Sequence, residues 1–382
     1  LPLSPNGKLL RSALPAPDLR AGAPVRPPRT ATEAALVELF ADVLGVADGP
    51  SAVGVDDDFF GMGGHSLLAA QLMTRLRERW PIDGGLGVVF AHPTPARLAE
   101  YLDRSQRGPA DTPDDVGLGP VIQLNRTPGD EPALFCIHPA GGLAWCYRRL
   151  ARALEPARNV YGLQARTLDP AAPAPPSLDA MAADYAATIR SLQPQGPYEL
   201  AGWSVGGILA HTVAIHLRDA GEEVSLLAMI DAYPCDRWRN EPPPDESAAL
   251  RALVLIAGHD PSTVPASQLT REGVTAFLRA AGHPMGALSD EALSGVIRVV
   301  SHNSLLVRRH HHRVFDGDVL FFRAALDHQG TTLSPDEWRP YVRGTIDVHD
   351  VPSLHAHLMG PEATAVMARV LNGRGSAVSR NG

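Results

Sequence analysis

Apolar residues recur at helical spacing in one stretch of the chain and in short solid blocks in another. Between residues 30 and 103 the spacing is helical. Thr30 with Glu33 forms a capping-box pattern, and Leu36, Val37, Leu39, Phe40 and Val43 follow on one face until Gly45. A second amphipathic run leaves Ser66 through Leu67, Leu68, Leu72, Met73 and Leu76 and stops at Pro81. Thr94-Pro95 opens a last helix through Leu98 and Leu102. These runs predict a small all-α unit of three or four helices. From about residue 120 the apolar residues form short blocks, Leu134–His138, Val160–Leu163, Tyr198–Gly202, Val224–Ile230, Val319–Phe322 and Thr345–Val351. Helical stretches separate them, including Leu143–Leu154, Leu178–Leu192, the segment after Ser204 and a last helix near Ala363–Leu371. That alternation predicts a mostly parallel sheet covered on both faces.

Prolines and glycines, 35 of each, mark the boundaries. Residues 12–29 hold Pro15, Pro17, Pro24, Pro27 and Pro28 and read as an extended linker. Residues 104–119 are polar and rich in Gly, Pro and Asp. The chain of 382 residues thus divides into a short leading piece and linker over 1–29, a helical unit over 30–104, a linker over 105–119 and a large α/β unit over 120–382. A helical interruption of the sheet runs from about 236 to 312.

Composition narrows the class. The apolar fraction is 45%, enough for sizeable cores, and the formal charge is −8 without a Lys/Arg block to neutralise a phosphate backbone, so nucleic acid is not an expected partner. There is no apolar run of membrane-spanning length. The opening residues Leu1–Lys8 do not read as a signal peptide. The three cysteines, Cys136, Cys146 and Cys235, are unpatterned, so a reducing cytoplasm is expected and a disulfide or zinc framework is not. In Arg308-Arg309-His310-His311-His312-Arg313, consecutive histidines cannot share a helix face, which predicts a solvated helix end and no metal site.

Two serines carry the candidate chemistry. Gly202-Trp203-Ser204-Val205-Gly206 is a G-x-S-x-G sequence between a strand and a helix, the context of a nucleophile elbow. The turn lifts the Ser204 hydroxyl above the sheet and aims the Val205 N–H at an oxyanion. A serine hydroxyl needs a base, and the base an orienting acid. Asp231 ends the Val224–Ile230 strand; Asp327, after the Val319–Phe322 strand, competes with it. His349, His355 and His357 supply candidate bases. His349 lies within a strand, and the residues alone do not separate His355 from His357. Ser66 caps a helix after two glycines, where bare backbone and a helix N-terminus favour an anion on the side chain.

The segment Asp57-Asp58-Phe59-Phe60-Gly61-Met62-Gly63-Gly64-His65-Ser66-Leu67 closely resembles the carrier-protein motif of nonribosomal peptide synthetases, D-x-F-F-x-x-G-G-[HD]-S-[LI]. The resemblance implies that Ser66 carries 4′-phosphopantetheine, added from coenzyme A by a phosphopantetheinyl transferase, and that the arm holds a peptidyl thioester. Leu1–Arg11 is similar to the last motif of an adenylation domain, with Leu10 where an acidic residue is usual, and implies upstream adenylation and condensation domains. Residues 120–372 resemble type I thioesterase domains of such synthetases, most nearly the enterobactin-synthetase kind, through Phe135–Gly142, Gly202–Gly207, Asp231 and His355–Met359. This implies an α/β-hydrolase domain with a helical lid over about 236–312, and Asp231 as the acid. The apolar pair Leu358-Met359 selects His355 as the base, and the Ala140 N–H becomes the second oxyanion donor beside Val205. The activity implied is release of a carrier-bound peptide by hydrolysis or macrocyclisation. A free-standing serine esterase and a non-catalytic carrier module are the alternatives.

Overall fold

A computed structural model describes residues 26–378 apart from 47–48, 65, 81, 83–86, 106–117, 126, 128–130, 243–244, 282, 289 and 328–332. The Leu1–Arg11 motif and most of both linkers lie outside the described residues.

Among the described residues the N-terminal unit holds four α-helices: α1 (Ala31–Leu44), α2 (Ser66–Arg79), the short α3 (Gly87–Ala91) and α4 (Pro95–Ser105). Thr30 caps α1 by accepting from the Glu33 N–H at 3.1 Å, and Gly45 ends it in the left-handed region at φ 64°. The Glu33 carboxylate reaches back to the Arg29 N–H at 2.6 Å, so the cap is extended one residue outward of the predicted box. Leu36, Phe40, Phe59, Leu72, Leu76 and Tyr101 close the core, with Phe40 edge-on to Phe59 at 5.2 Å.

The large unit is a seven-stranded sheet in the order β1-β3-β2-β4-β5-β6-β7. Its strands are β1 (Val121–Gln123), β2 (Glu131–Ile137), β3 (Arg158–Leu163), β4 (Tyr198–Trp203), β5 (Val224–Ile230), β6 (Val319–Ala324) and β7 (Ile346–Val351). Only β1, which the apolar pattern does not predict, runs antiparallel. With three residues and no fully buried side chain it lacks an apolar block. Helices α6 (Leu178–Leu192) and α7 (Val205–Asp219) pack one face through Tyr185, Ile189, Leu209 and Val213. The other face packs against α5 (Arg148–Ala153) and α11 (Pro361–Val378) through Leu150, Leu154, Met367 and Leu371. The predicted helix over 143–154 starts later, because Trp145–Tyr147 form a tighter turn before α5.

Between β5 and β6 the chain leaves the sheet for α8 (Glu246–Ile256), α9 (Arg271–Ala280) and α10 (Asp290–Arg309). The apolar core of this insertion is continuous with that of the four-helix unit. The Arg308–Arg313 run is not a solvated helix end. The helix stops at Arg309, and the residues beyond it have no regular structure and differ in exposure. His311 is exposed, while His310 is buried and the half-buried His312 ring packs 4.7 Å from Trp338 and 5.4 Å from His211. Burial drives the His312 imidazole down to about 2, and its Nε2 accepts the Cys235 N–H at 2.9 Å as a neutral ring. Among the described residues no helix is long and apolar enough to cross a membrane.

Candidate active site

The elbow begins with crowding. Strand β4 must turn into α7 within one residue, and Ser204 does so at φ 57°, ψ −126°, a conformation costly for a side chain other than glycine. Glycines make room for it. A Cβ on Gly202 would lie 2.0 Å from the Gly206 oxygen, and one on Gly206 would lie 2.3 Å from the Ile137 oxygen. The chain is pinned on either side: the Ser204 N–H donates to the Ile230 oxygen at 3.0 Å and the Gly207 N–H to the Ser204 oxygen at 2.9 Å. Val205 is the first residue of α7, so its N–H belongs to the opening turn, where intrahelical acceptors run out.

Asp231 follows β5 in a second strained conformation, φ 45°. It is buried, and its carboxylate is fully engaged. Oδ1 accepts from the Tyr233 hydroxyl and from the Ala324 N–H, each at 3.0 Å. Oδ2 lies 2.7 Å from His355 Nδ1. The paired carboxylate and burial together push the Tyr233 phenol upward, burial most, so it stays a donor. His355 sits in a turn after β7 with its imidazole 5.4 Å from the indole of Trp203, the residue before Ser204. The imidazole therefore lies beside the elbow with Nδ1 committed to Asp231 and Nε2 the remaining nitrogen.

The competing residues go elsewhere. Asp327 accepts the backbone N–H of His355 and so holds the histidine's turn rather than its ring. His357 turns to the insertion, 2.8 Å from the Gly258 oxygen. His349 stays in β7 against Asp347 at 3.2 Å. Ala140 stands in the loop after β2; the Asn303 side chain, from α10, donates to its oxygen at 3.0 Å. His138, in the same loop, is buried between the Pro139 oxygen (2.7 Å) and the Tyr185 hydroxyl (2.6 Å) and is held neutral, at about 4, by burial.

Tyr147 has no counterpart in the sequence reading. Its hydroxyl donates to the Ile137 oxygen and accepts the Trp203 N–H, both at 2.7 Å. It is wedged between β2 and β4 where the Ala140 loop and the elbow leave the sheet. Tyr147, Tyr233 and Asn303 lie on ordinary helical or loop positions, and the only available signal was an aromatic two residues from the acid.

Ser66 is the first residue of α2, after Gly63 and Gly64. A Cβ on Gly64 would lie 2.4 Å from the Phe59 oxygen, so the approach to Ser66 is bare backbone by steric necessity. A cavity of about 880 Å³ is lined by residues of both units, among them Gly64, Phe90, Ile256, Met285, His357 and Trp203. Among the described residues no group of His, Cys, Asp and Glu is placed to hold a metal ion.

Two family models match the chain. Residues 132–372 match the family described as thioesterase domain, and residues 34–102 match the family described as phosphopantetheine attachment site. A dimodular nonribosomal peptide synthase of Bacillus subtilis is 42% identical over 372 residues, 97% of this chain and 15% of its own length. Enterobactin synthase component F of Escherichia coli K12 is 32% identical over 364 residues, 94% of this chain and 26% of its own. The chain thus spans well under a third of these relatives. A solved holo four-domain nonribosomal peptide synthetase, AB3403, superposes with a TM-score of 0.61 at 26% identity, over 98% of this chain and 28% of that one. The NocB thioesterase domain superposes with a TM-score of 0.50 at 24% identity, over 67% of this chain and 99% of that one, a likeness of fold.

Proposed function

The chain belongs to the thioesterase domain family, with a phosphopantetheine attachment domain ahead of it, and on that premise we propose that it releases a carrier-bound peptide through a triad of Ser204, His355 and Asp231. The observation that carries this reading is the 2.7 Å contact from buried Asp231 to His355 beside the strained Ser204 elbow. We place the carrier unit at 30–104, the linker at 105–119 and the thioesterase unit from 120 onward, with α8–α10 as its lid.

Phosphopantetheine, when bound to Ser66, would supply the thiol at the end of a long tether that holds the peptide's carbonyl as a thioester. Ser204 Oγ attacks that carbonyl while His355 Nε2 takes its proton. Asp231 fixes Nδ1–H as the donor toward itself, which leaves Nε2 the free acceptor. The Tyr233 hydroxyl and the Ala324 N–H hold the carboxylate in place. The N–H groups of Val205 and Ala140 receive the developing oxyanion. His355 returns the proton to the departing thiol. Water or a nucleophile within the peptide then resolves the ester on Ser204, giving an acid or a ring. Upstream adenylation and condensation domains would build the peptide, and a cytoplasmic phosphopantetheinyl transferase would load Ser66 from coenzyme A.

A fluorophosphonate probe tests the nucleophile: labelling is expected on the intact chain and absent in Ser204→Ala, and labelling that survives the substitution refutes the assignment. Coenzyme A with the transferase is expected to add one arm mass, lost in Ser66→Ala.

A further inference from the structure

The four-helix unit does not merely neighbour the thioesterase unit; one short segment grips it. Asp58 uses Oδ1 to cap its own loop, accepting from the Phe60 N–H at 2.9 Å and the Gly61 N–H at 3.0 Å. Its other oxygen is 2.8 Å from Arg148 Nη2, at the start of α5. The same guanidinium donates to the Phe90 oxygen at 3.1 Å and lies 4.4 Å over the Phe60 ring. Its side chain is only 11% exposed, while the Asp58 carboxylate keeps one face open to water at 38%. Four residues on, one helical turn along the same face, Arg152 donates to the Phe60 oxygen at 2.6 Å and to the Gly61 oxygen. The rings of Phe60, Phe90 and Trp145 form a continuous stack, with centroids 4.8 and 5.0 Å apart.

We propose that Trp145, Arg148 and Arg152 form a docking latch for the carrier unit, which registers Ser66 against the Ser204 elbow. Both ends of the latch bear on function. Asp58, Phe60 and Gly61 belong to the loop that leads into Ser66. On the thioesterase side, Arg148 directly follows Tyr147, whose hydroxyl holds the Ile137 and Trp203 backbones at 2.7 Å. A single segment therefore touches the carrier loop on one side and the elbow on the other. Arg148 reads both a charge and an aromatic face, a combination that Lys would not reproduce, because a planar guanidinium can pair sideways while it stacks. Arg148 and Arg152 act by positioning and take no part in the acyl transfer.

The inference rests on the proposed release activity, and the test separates the two. The full chain is loaded on Ser66 from phenylalanyl-coenzyme A by a phosphopantetheinyl transferase, and loss of the acyl group is followed by intact mass. In parallel, turnover of the phenylalanyl N-acetylcysteamine thioester reads the active site without the carrier. Hydrogen exchange over 58–64 and 145–152 reads docking directly. Arg148→Glu and Asp58→Arg are each expected to slow release from the carrier about tenfold, less than a full loss because the tether keeps the carrier close, and to raise exchange in both segments. Turnover of the soluble thioester is expected to stay within about twofold in Asp58→Arg, and the double exchange Asp58→Arg/Arg148→Glu to recover most of both losses. Unchanged release with unchanged exchange in both single variants overturns the latch, as does a double variant no better than the product of the singles. If the soluble thioester is not turned over by the parent chain, the release reading fails, and the exchange data alone still decide the latch.

Discussion

Replacing Tyr147 by Phe removes one oxygen atom and changes little volume. That oxygen bridges the Ile137 carbonyl and the Trp203 N–H, and all three residues are buried. The Trp203 N–H loses its acceptor in a region closed to water, which costs about 1–3 kcal/mol, and the Ile137 oxygen loses one donor. A total near 2–3 kcal/mol follows, because the carbonyl retains a second lone pair. For a unit of this size each kcal/mol lowers the melting temperature by about 2–4 °C, so a fall of about 4–12 °C is expected in scanning calorimetry. The wedge also sets the spacing of the strand ends that carry Ala140 and Ser204. Turnover of a soluble thioester should fall about tenfold, in kcat rather than KM, because a small displacement of the oxyanion donors weakens transition-state contacts most. A variant that melts within 1 °C of the parent and turns over at the parent rate would refute the wedge as a positioning element.

Asp231→Asn should preserve the fold and lower kcat by about 10³–10⁴-fold, because the amide favours the wrong imidazole tautomer; a loss under tenfold in steady-state assays would remove Asp231 from the triad. Gly206→Ala drives a methyl to 2.3 Å from the Ile137 oxygen, so fluorophosphonate labelling should be lost, and normal labelling kinetics would contradict the close approach. His138 and His211 are buried and His312 half-buried, and loss of water holds their imidazoles neutral, near 4, 4 and 2. Their contribution to stability is complete above the unfolded value near 6.5 and is lost as pH falls below it, because the unfolded chain takes up protons that the folded chain refuses. The slope is about 1.4 kcal/mol per pH unit for each imidazole within its window. Urea unfolding between pH 7 and 5 should show this loss, and His312→Gln, which keeps an acceptor for the Cys235 N–H, should flatten it; an equal slope in both would exclude His312. Glu155 is raised by burial and by the docked Asp58 carboxylate, and lowered by Arg152 and Arg148. Docking therefore favours its protonated form, and hydrogen-exchange protection over 58–64 should rise as pH falls through the carboxylate range and lose that dependence in Glu155→Gln.

Features set by neighbours in sequence were readable without a structure. Thr30 and Gly45 bound α1, Leu178–Leu192 and Val224–Ile230 match their elements residue for residue, and the elbow follows from two glycines flanking Ser204. In each case the relevant forces act within one turn or along one strand. What the tertiary structure alone decided lies between residues far apart in the chain. The ring of His355 meets Asp231 across 124 positions, while His357, two residues later, turns to Gly258; no local pattern separates them, because the choice is made by where β5 ends beside the turn after β7. The Arg308–Arg313 run departs from its local pattern for the same reason. Its helical neighbours imply solvent, whereas His312 packs against Trp338 and His211, and His310 packs edge-on to His312. Tyr147 and Arg148 were likewise silent in sequence, since a hydroxyl wedged between two strands and a guanidinium reaching 90 positions back to Asp58 acquire their meaning only once the sheet and the carrier unit are packed.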